Sequence, residues 1–130
     1  VSDGGAFVGV DVVEIARVAR VLSLFGERFL RRLFSPEELA YYQGKGTRRW
    51  QEGVAALFAS KEAVKKLFLQ RGRSLGFRDI TILHTSTGEP RVFVAQGDKV
   101  FRRISLSFSH SRDVVVAVAV GVVGGGKGSD

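Results

Sequence analysis

Three spacings of apolar residues divide this chain into elements. From Phe7 to Val13 the residues are almost continuously apolar, which predicts a strand. Ile15, Val18, Leu22 and Phe25 then recur at helical intervals and predict a helix from about Ile15 to Leu33. Ser35-Pro36-Glu37-Glu38 reads as a helix start: a serine cap, a proline at the first position and a glutamate three residues after the cap. That helix is short and ends near Gly44-Lys45-Gly46. Thr47 is the expected cap of a long helix running to roughly Gln70, with Val54, Leu57, position 61, Val64 and Phe68 as its stripe. Gly72 and Gly76 punctuate a loop, and strands follow at Asp79 to His84 and Arg91 to Ala95, joined by the turn Thr85 to Pro90. The last two strands are expected at Ile104 to Ser109 and Val114 to Val123. No repeat or linker divides residues 1–130, so a single domain is expected, with residues 1–6 and 124–130 as flexible ends. A strand, then helices, then a run of strands predicts an α+β fold, an antiparallel sheet packed against a long helix.

Several ionisable residues interrupt these apolar patterns. Lys61 occupies the centre of the long helix's stripe, and Glu62 beside it has Ala55, Phe58, Lys66 and Leu69 as neighbours on the helix surface. Asp11 interrupts the first strand, although aspartate is a poor strand former. In "ISLSFSHS", Ile104, Leu106 and Phe108 alternate with serines, and His110 takes the next apolar-phase slot. Burying such groups is costly unless they are paired, hydrogen-bonded or bound to a metal. Each has a plain explanation: a lysine that snorkels to water, an aspartate that caps the next helix, a satisfied histidine, or simple Asp11–Lys61 and Glu62–Lys66 ion pairs. Together they suggest more. Two carboxylates that meet would suit magnesium, which usually takes one or two carboxylates and completes its shell with water and substrate phosphates. Lys61, Lys65 and Lys66 would then serve phosphate oxygens, the composition expected for metal-assisted phosphoryl chemistry.

Composition narrows the field. Lysine and arginine number 20 against 13 acids, a net charge of +7 that favours an anionic partner. With no cysteine there is no disulfide, thiol catalysis or thiolate metal site, and His84 and His110 alone give little for zinc. No GxxxxGK[ST] loop occurs, no apolar run is long enough to span a membrane, and no secretory signal is visible. A cytoplasmic location is expected. The absence of methionine points to trimming at the start and leaves an organelle transit peptide open.

"GVDVVEI" (9–15), "FASKEAVKK" (58–66) and "SFSH" (107–110), in this order and spacing, resemble the holo-acyl-carrier-protein synthases, the short single-domain 4′-phosphopantetheinyl transferases. The resemblance runs from about Val8 to Val120. It implies transfer of the phosphopantetheine arm of coenzyme A to a serine of apo acyl carrier protein, in fatty acid biosynthesis, with adenosine 3′,5′-bisphosphate as the other product. It places the magnesium ligands at Asp11 and Glu62, and lysines for the pyrophosphate at Lys61 and Lys66. Arg49, Lys66, His110 and the Gly88–Pro90 turn fall at coenzyme A. The expected general base is Glu62 or a metal-bound water oriented by it. Family members dock their acidic carrier on the first helix, here carrying Arg17, Arg20, Arg28, Arg31 and Arg32, and they assemble as homotrimers with sites between subunits.

Two positions depart from the family pattern. Leu57 stands where most members have arginine, and Glu89 replaces the lysine of a glycine-lysine-proline turn. Both bear on coenzyme A affinity rather than on the metal ligands. No nucleic-acid or membrane partner is expected on this reading. The rivals are a basic nucleic-acid-binding module, with steep salt dependence, and a pseudoenzyme that docks carrier protein without transferring.

Overall fold

The computed structural model describes residues 5–95 and 99–124. Its main sheet has three antiparallel strands in the order β1-β5-β4, with β1 at Ala6–Glu14, β5 at Val114–Val122 and β4 at Arg103–His110. Between β1 and β5 in sequence come α1 (Ile15–Phe25), α2 (Glu27–Leu33), α3 (Pro36–Ala40) and α4 (Thr47–Leu69). A 3-10 turn at Phe77–Asp79 then leads into a hairpin of β2 (Ile80–His84) and β3 (Pro90–Val94). The expected α+β class, with an antiparallel sheet against a long helix, is what the chain forms. No helix among the described residues is long and apolar enough to cross a membrane.

Strand periodicity decides which residues meet α4. Val115, Ala117 and Ala119 of β5 are buried, as are Val54, Ala55, Ala59, Ala63, Val64 and Leu67 of α4. Small residues on both elements let the helix lie close to the sheet. Contact is tightest at Gly9, where a Cβ would collide with the carbonyl oxygen of Ala63. The register aligns Asp11 with Ala117 and Phe108, and Val13 with Val115 and His110. Asp11 and His110 therefore both project toward α4, but from opposite edges of the sheet. The other face of the sheet is also apolar. Val8, Val10 and Val12 are 54%, 48% and 59% exposed.

Several boundaries differ from expectation for local reasons. The helix expected over Ile15 to Leu33 breaks at Gly26, whose φ of 48° lies in the region that favours glycine. The start at Ser35 is as expected: Ser35 Oγ accepts from the Glu38 backbone N–H and Glu38 accepts from the Ser35 N–H. Gly46, not Thr47, is the N-cap of α4. Residues 77–79, the last of them expected in a strand, wind into the 3-10 turn, where Asp79 Oδ2 accepts from the Gly76 N–H at 2.8 Å. Ala6, expected in a flexible end, pairs with Val122, and the Val123 N–H bonds to the Gly5 carbonyl. The remainder of those ends, residues 1–4 and 125–130, lies outside the described residues.

Candidate active site

Asp11 is not a helix cap, since it sits within β1 and Glu14 is the residue preceding α1. Its side chain reaches a cleft of about 500 Å³ that is also lined by Glu14, Arg17, Val18, Val21, Phe58 and Glu62. Glu62 enters this cleft from α4, so carboxylates distant in sequence face one space because β1 packs along the helix. Lys66, one turn after Glu62, extends to the same strand: its Nζ donates to Asp11 Oδ1 at 2.9 Å and to the Val10 carbonyl at 3.0 Å. Glu62 takes no hydrogen bond or ion pair among the described residues.

Two carboxylates in one open cleft suit a hard cation that keeps several waters or substrate oxygens as ligands. They do not build a complete protein cage, and the described residues contain no cluster of three or more metal-ligating side chains. The donor set fits magnesium shared with a phosphate-rich substrate and does not fit a structural zinc.

The expectation that Lys61 faces substrate is corrected. Its side chain is fully buried, and its ammonium donates to Leu33 O at 2.6 Å, Glu38 Oε1 at 2.8 Å and Phe77 O at 3.0 Å. The Phe34 ring centroid lies 5.2 Å from Nζ. Glu38, 1% exposed, also accepts from the Ile82 N–H at 2.6 Å through its second oxygen. The pair thus ties α2, α3, α4, the 3-10 turn and β2 together. Burial pushes the Lys61 pKa down, and the bond to Glu38 opposes that shift. Lys65 also points away from the cleft, with Nζ 4.2 Å from the centroid of Phe77. Leu57, at the position expected to weaken phosphate contacts, is buried in the core.

A second pocket, of about 400 Å³, gathers Arg49, Gly88 and His110 with Tyr41, Tyr42, Glu52, Gly53, His84 and Phe108. Pro90 follows as the first residue of β3, paired with His84. Glu52 bridges Arg48 Nε at 2.8 Å and His110 Nε2 at 3.9 Å. The Tyr42 hydroxyl and His84 Nε2 are 3.1 Å apart. Burial, with Tyr41 adding to it, raises the Tyr42 pKa against the opposing influence of Arg49. His84 is pushed below its ordinary value of 6.5 by burial and by Lys45.

The expected site residues therefore fall into two groups. Asp11, Glu62 and Lys66 belong to one cleft, while Arg49, His110 and Gly88 belong to the other. Arg17 lines the first cleft as well as lying on α1, whereas Arg20 and Arg28 are exposed along α1 and α2. Sequence reasoning missed the aromatic wall of Tyr41, Tyr42 and His84. Adjacent tyrosines after a helix cap gave no signal of a pocket, because the contact that defines them comes from β2. Glu38 was legible as a capping residue, which concealed its bond to Lys61.

The model of the 4′-phosphopantetheinyl transferase superfamily matches residues 7–119. The chain therefore belongs to that superfamily. It is 37% identical over 117 residues to a holo-acyl-carrier-protein synthase of Nitratiruptor, covering 87% of this chain and 96% of the relative. Among solved structures it is similar to the Helicobacter pylori holo-acyl-carrier-protein synthase in complex with coenzyme A, at 31% identity and TM-score 0.75, over 86% of this chain and 96% of that one. It is also similar to the Bacillus anthracis enzyme in complex with coenzyme A (3′,5′-ADP), at 28% identity and TM-score 0.74, over 91% and 96% of the two chains. Within the superfamily, these likenesses place the chain among the holo-acyl-carrier-protein synthases.

Proposed function

We propose that this chain transfers the 4′-phosphopantetheine arm of coenzyme A to a serine of apo acyl carrier protein, at a magnesium centre held by Asp11 and Glu62. The observation that carries the reading is the shared cleft: carboxylates from β1 and α4 face one space, with Lys66 and Arg17 beside them. When bound there, magnesium supplies charge neutralisation on the pyrophosphate and on the leaving phosphate. The serine oxygen forms a bond to the phosphorus bearing the pantetheine arm. The bond from that phosphorus to the bridging oxygen breaks, and adenosine 3′,5′-bisphosphate leaves. Glu62, or a water it orients, receives the serine proton. Lys66, half exposed beside Asp11, contributes positive charge to the same phosphates. Arg49 and His110, with the Gly88–Pro90 turn, take the nucleotide end.

The carrier approaches over α1 and α2. Arg20 and Arg28 offer an acidic partner a basic face that leads to Arg17 at the cleft. A homotrimer with sites between subunits accounts for two further features. The metal cleft and coenzyme pocket draw on opposite edges of one sheet, and exposed Val8, Val10 and Val12 leave an apolar face to be covered. Joining one subunit's cleft to its neighbour's pocket is a heterologous contact that closes into a ring.

Calorimetric titration with magnesium tests the centre without relying on turnover. Wild-type protein with coenzyme A should bind the ion, and Asp11→Asn or Glu62→Gln should lose that binding at unchanged melting temperature. Full magnesium affinity in either variant would end the assignment. Co-refolding inactive Glu62→Gln with inactive Arg49→Ala in equal amounts should restore transfer at about a quarter of the sites if each is built from two neighbours. A site built within one subunit would restore none.

A further inference from the structure

Tyr41, which lines the second pocket, carries a lysine on its ring. Tyr41, just after α3, lies flat against His84, with ring centroids 3.9 Å apart and planes 9° from parallel. Lys45 Nζ stands 3.9 Å from the centroid of the same tyrosine. An imidazole at that distance fills one face of the ring, so the ammonium lies over the other. The result is a three-layer stack of Lys45, Tyr41 and His84. The stack is braced at its inner end by the Tyr42 hydroxyl on His84 Nε2 and by the edge contact of His84 with Phe108, centroids 6.1 Å apart. At the turn, the Tyr41 hydroxyl would stand 3.1 Å from a Cβ placed on Gly88. With both faces covered, Tyr41 cannot stack a nucleobase; it serves instead to hold the ammonium.

The surrounding charges leave Lys45 available. Glu52 is engaged by Arg48 at 2.8 Å, and Glu89 on the turn stands 3.7 Å from Arg91. Lys45 itself pairs with no carboxylate among the described residues. Its charge is directed inward enough to act, with burial, on the protonation of His84. A cation resting on an aromatic face keeps its outward N–H donors free for an anion.

Reaction chemistry indicates which anion. The bond that breaks belongs to the pyrophosphate, which must therefore lie at the Asp11–Glu62 cleft. The phosphate left for the other pocket is the one on the ribose 3′ position. Resting on the transfer reading above, we infer that Lys45 binds the 3′-phosphate of coenzyme A and thereby sets the preference for coenzyme A over its 3′-dephospho form.

The test is transfer kinetics with coenzyme A and with 3′-dephospho-coenzyme A, in wild-type protein, Lys45→Gln and Lys45→Arg. Loss of one charge-assisted contact should raise KM for coenzyme A about tenfold in Lys45→Gln. KM for the dephospho form should stay within about twofold of wild type, since that substrate never made the contact. Lys45→Arg should recover most of the coenzyme A affinity. Equal losses with both substrates, or no loss with either, would overturn the assignment of Lys45 while leaving the transfer reading intact. A wild-type protein that turns over neither substrate would overturn both.

Discussion

Replacing Lys61 by leucine separates an interior strut from a surface ligand. Leucine fits the helical stripe of Val54, Leu57, Val64 and Phe68, so a lysine that merely reached for water should be replaceable with a gain in stability. The structure predicts the reverse. Glu38 is 1% exposed and would lose its cationic partner among the described residues, while the Leu33 carbonyl would lose the ammonium that bonds it at 2.6 Å. The Phe77 carbonyl is less affected, because it also accepts from the Ile80 N–H. Breaking a buried pair by removing one partner costs about 3–5 kcal/mol. The unpaired carbonyl adds about 1 kcal/mol, and the more apolar side chain offsets about 1–2 kcal/mol. The net loss is about 3 kcal/mol, equivalent to a melting temperature lower by about 10 °C in a chain of this length. Adding Glu38→Gln to Lys61→Leu should recover part of that loss, since a neutral amide still offers an oxygen to the Ile82 N–H and carries no uncompensated charge. Thermal unfolding of the two single variants and the double variant gives the answer. A Lys61→Leu protein melting at or above the wild-type temperature would refute the argument.

Three other outcomes follow from the geometry. Gly9→Ala should lower stability and magnesium affinity together, because a Cβ against the Ala63 carbonyl must push β1, and with it Asp11, away from Glu62; unchanged magnesium binding would show that the strand can shift without opening the cleft. Arg20→Glu with Arg28→Glu should lower kcat/KM for carrier protein about tenfold at low salt and much less at high salt, and an altered KM for coenzyme A would instead assign those arginines to the nucleotide. His84 has a folded pKa below its ordinary value of 6.5, so the unfolded chain binds the extra proton first and stability falls as pH drops through that value. Melting temperature should therefore decline less between pH 7.5 and 5.5 in His84→Gln than in wild type, and an equal decline would assign the acid sensitivity to other groups.

The sequence announced its elements more fully than their junctions. Apolar runs, alternation and helical spacing located the strands of the described residues and α4 to within a few residues, because those patterns follow directly from which sides of an element are buried. The break at Gly26 was not legible, since a glycine within a helical pattern is tolerated at modest cost and only its backbone angle shows that it ends one. Asp11 and Glu62 stood out as carboxylates in apolar phase, and they share a cleft. Lys61 stood out for the same reason and proved to be interior. Apolar phase identifies a costly group without revealing what compensates it, and the compensating Glu38 lay 23 residues away, explained already as a cap. Tyr41, Tyr42 and His84 gave no warning at all, because aromatic residues in ordinary positions become a pocket wall only when β2 packs beside α3.

The central claim is transfer at the Asp11–Glu62 centre, and the most direct test is to weigh the product. Purified protein is mixed with coenzyme A, magnesium and apo acyl carrier protein, and the intact carrier is measured by mass spectrometry beside identical reactions with Asp11→Ala and Glu62→Ala. The account predicts that wild-type protein adds the mass of one phosphopantetheine to each carrier, and that neither variant does so although both melt as wild type. An unchanged carrier mass with the wild-type protein would contradict the transfer reading. Near-normal transfer by either variant at saturating magnesium would contradict the site.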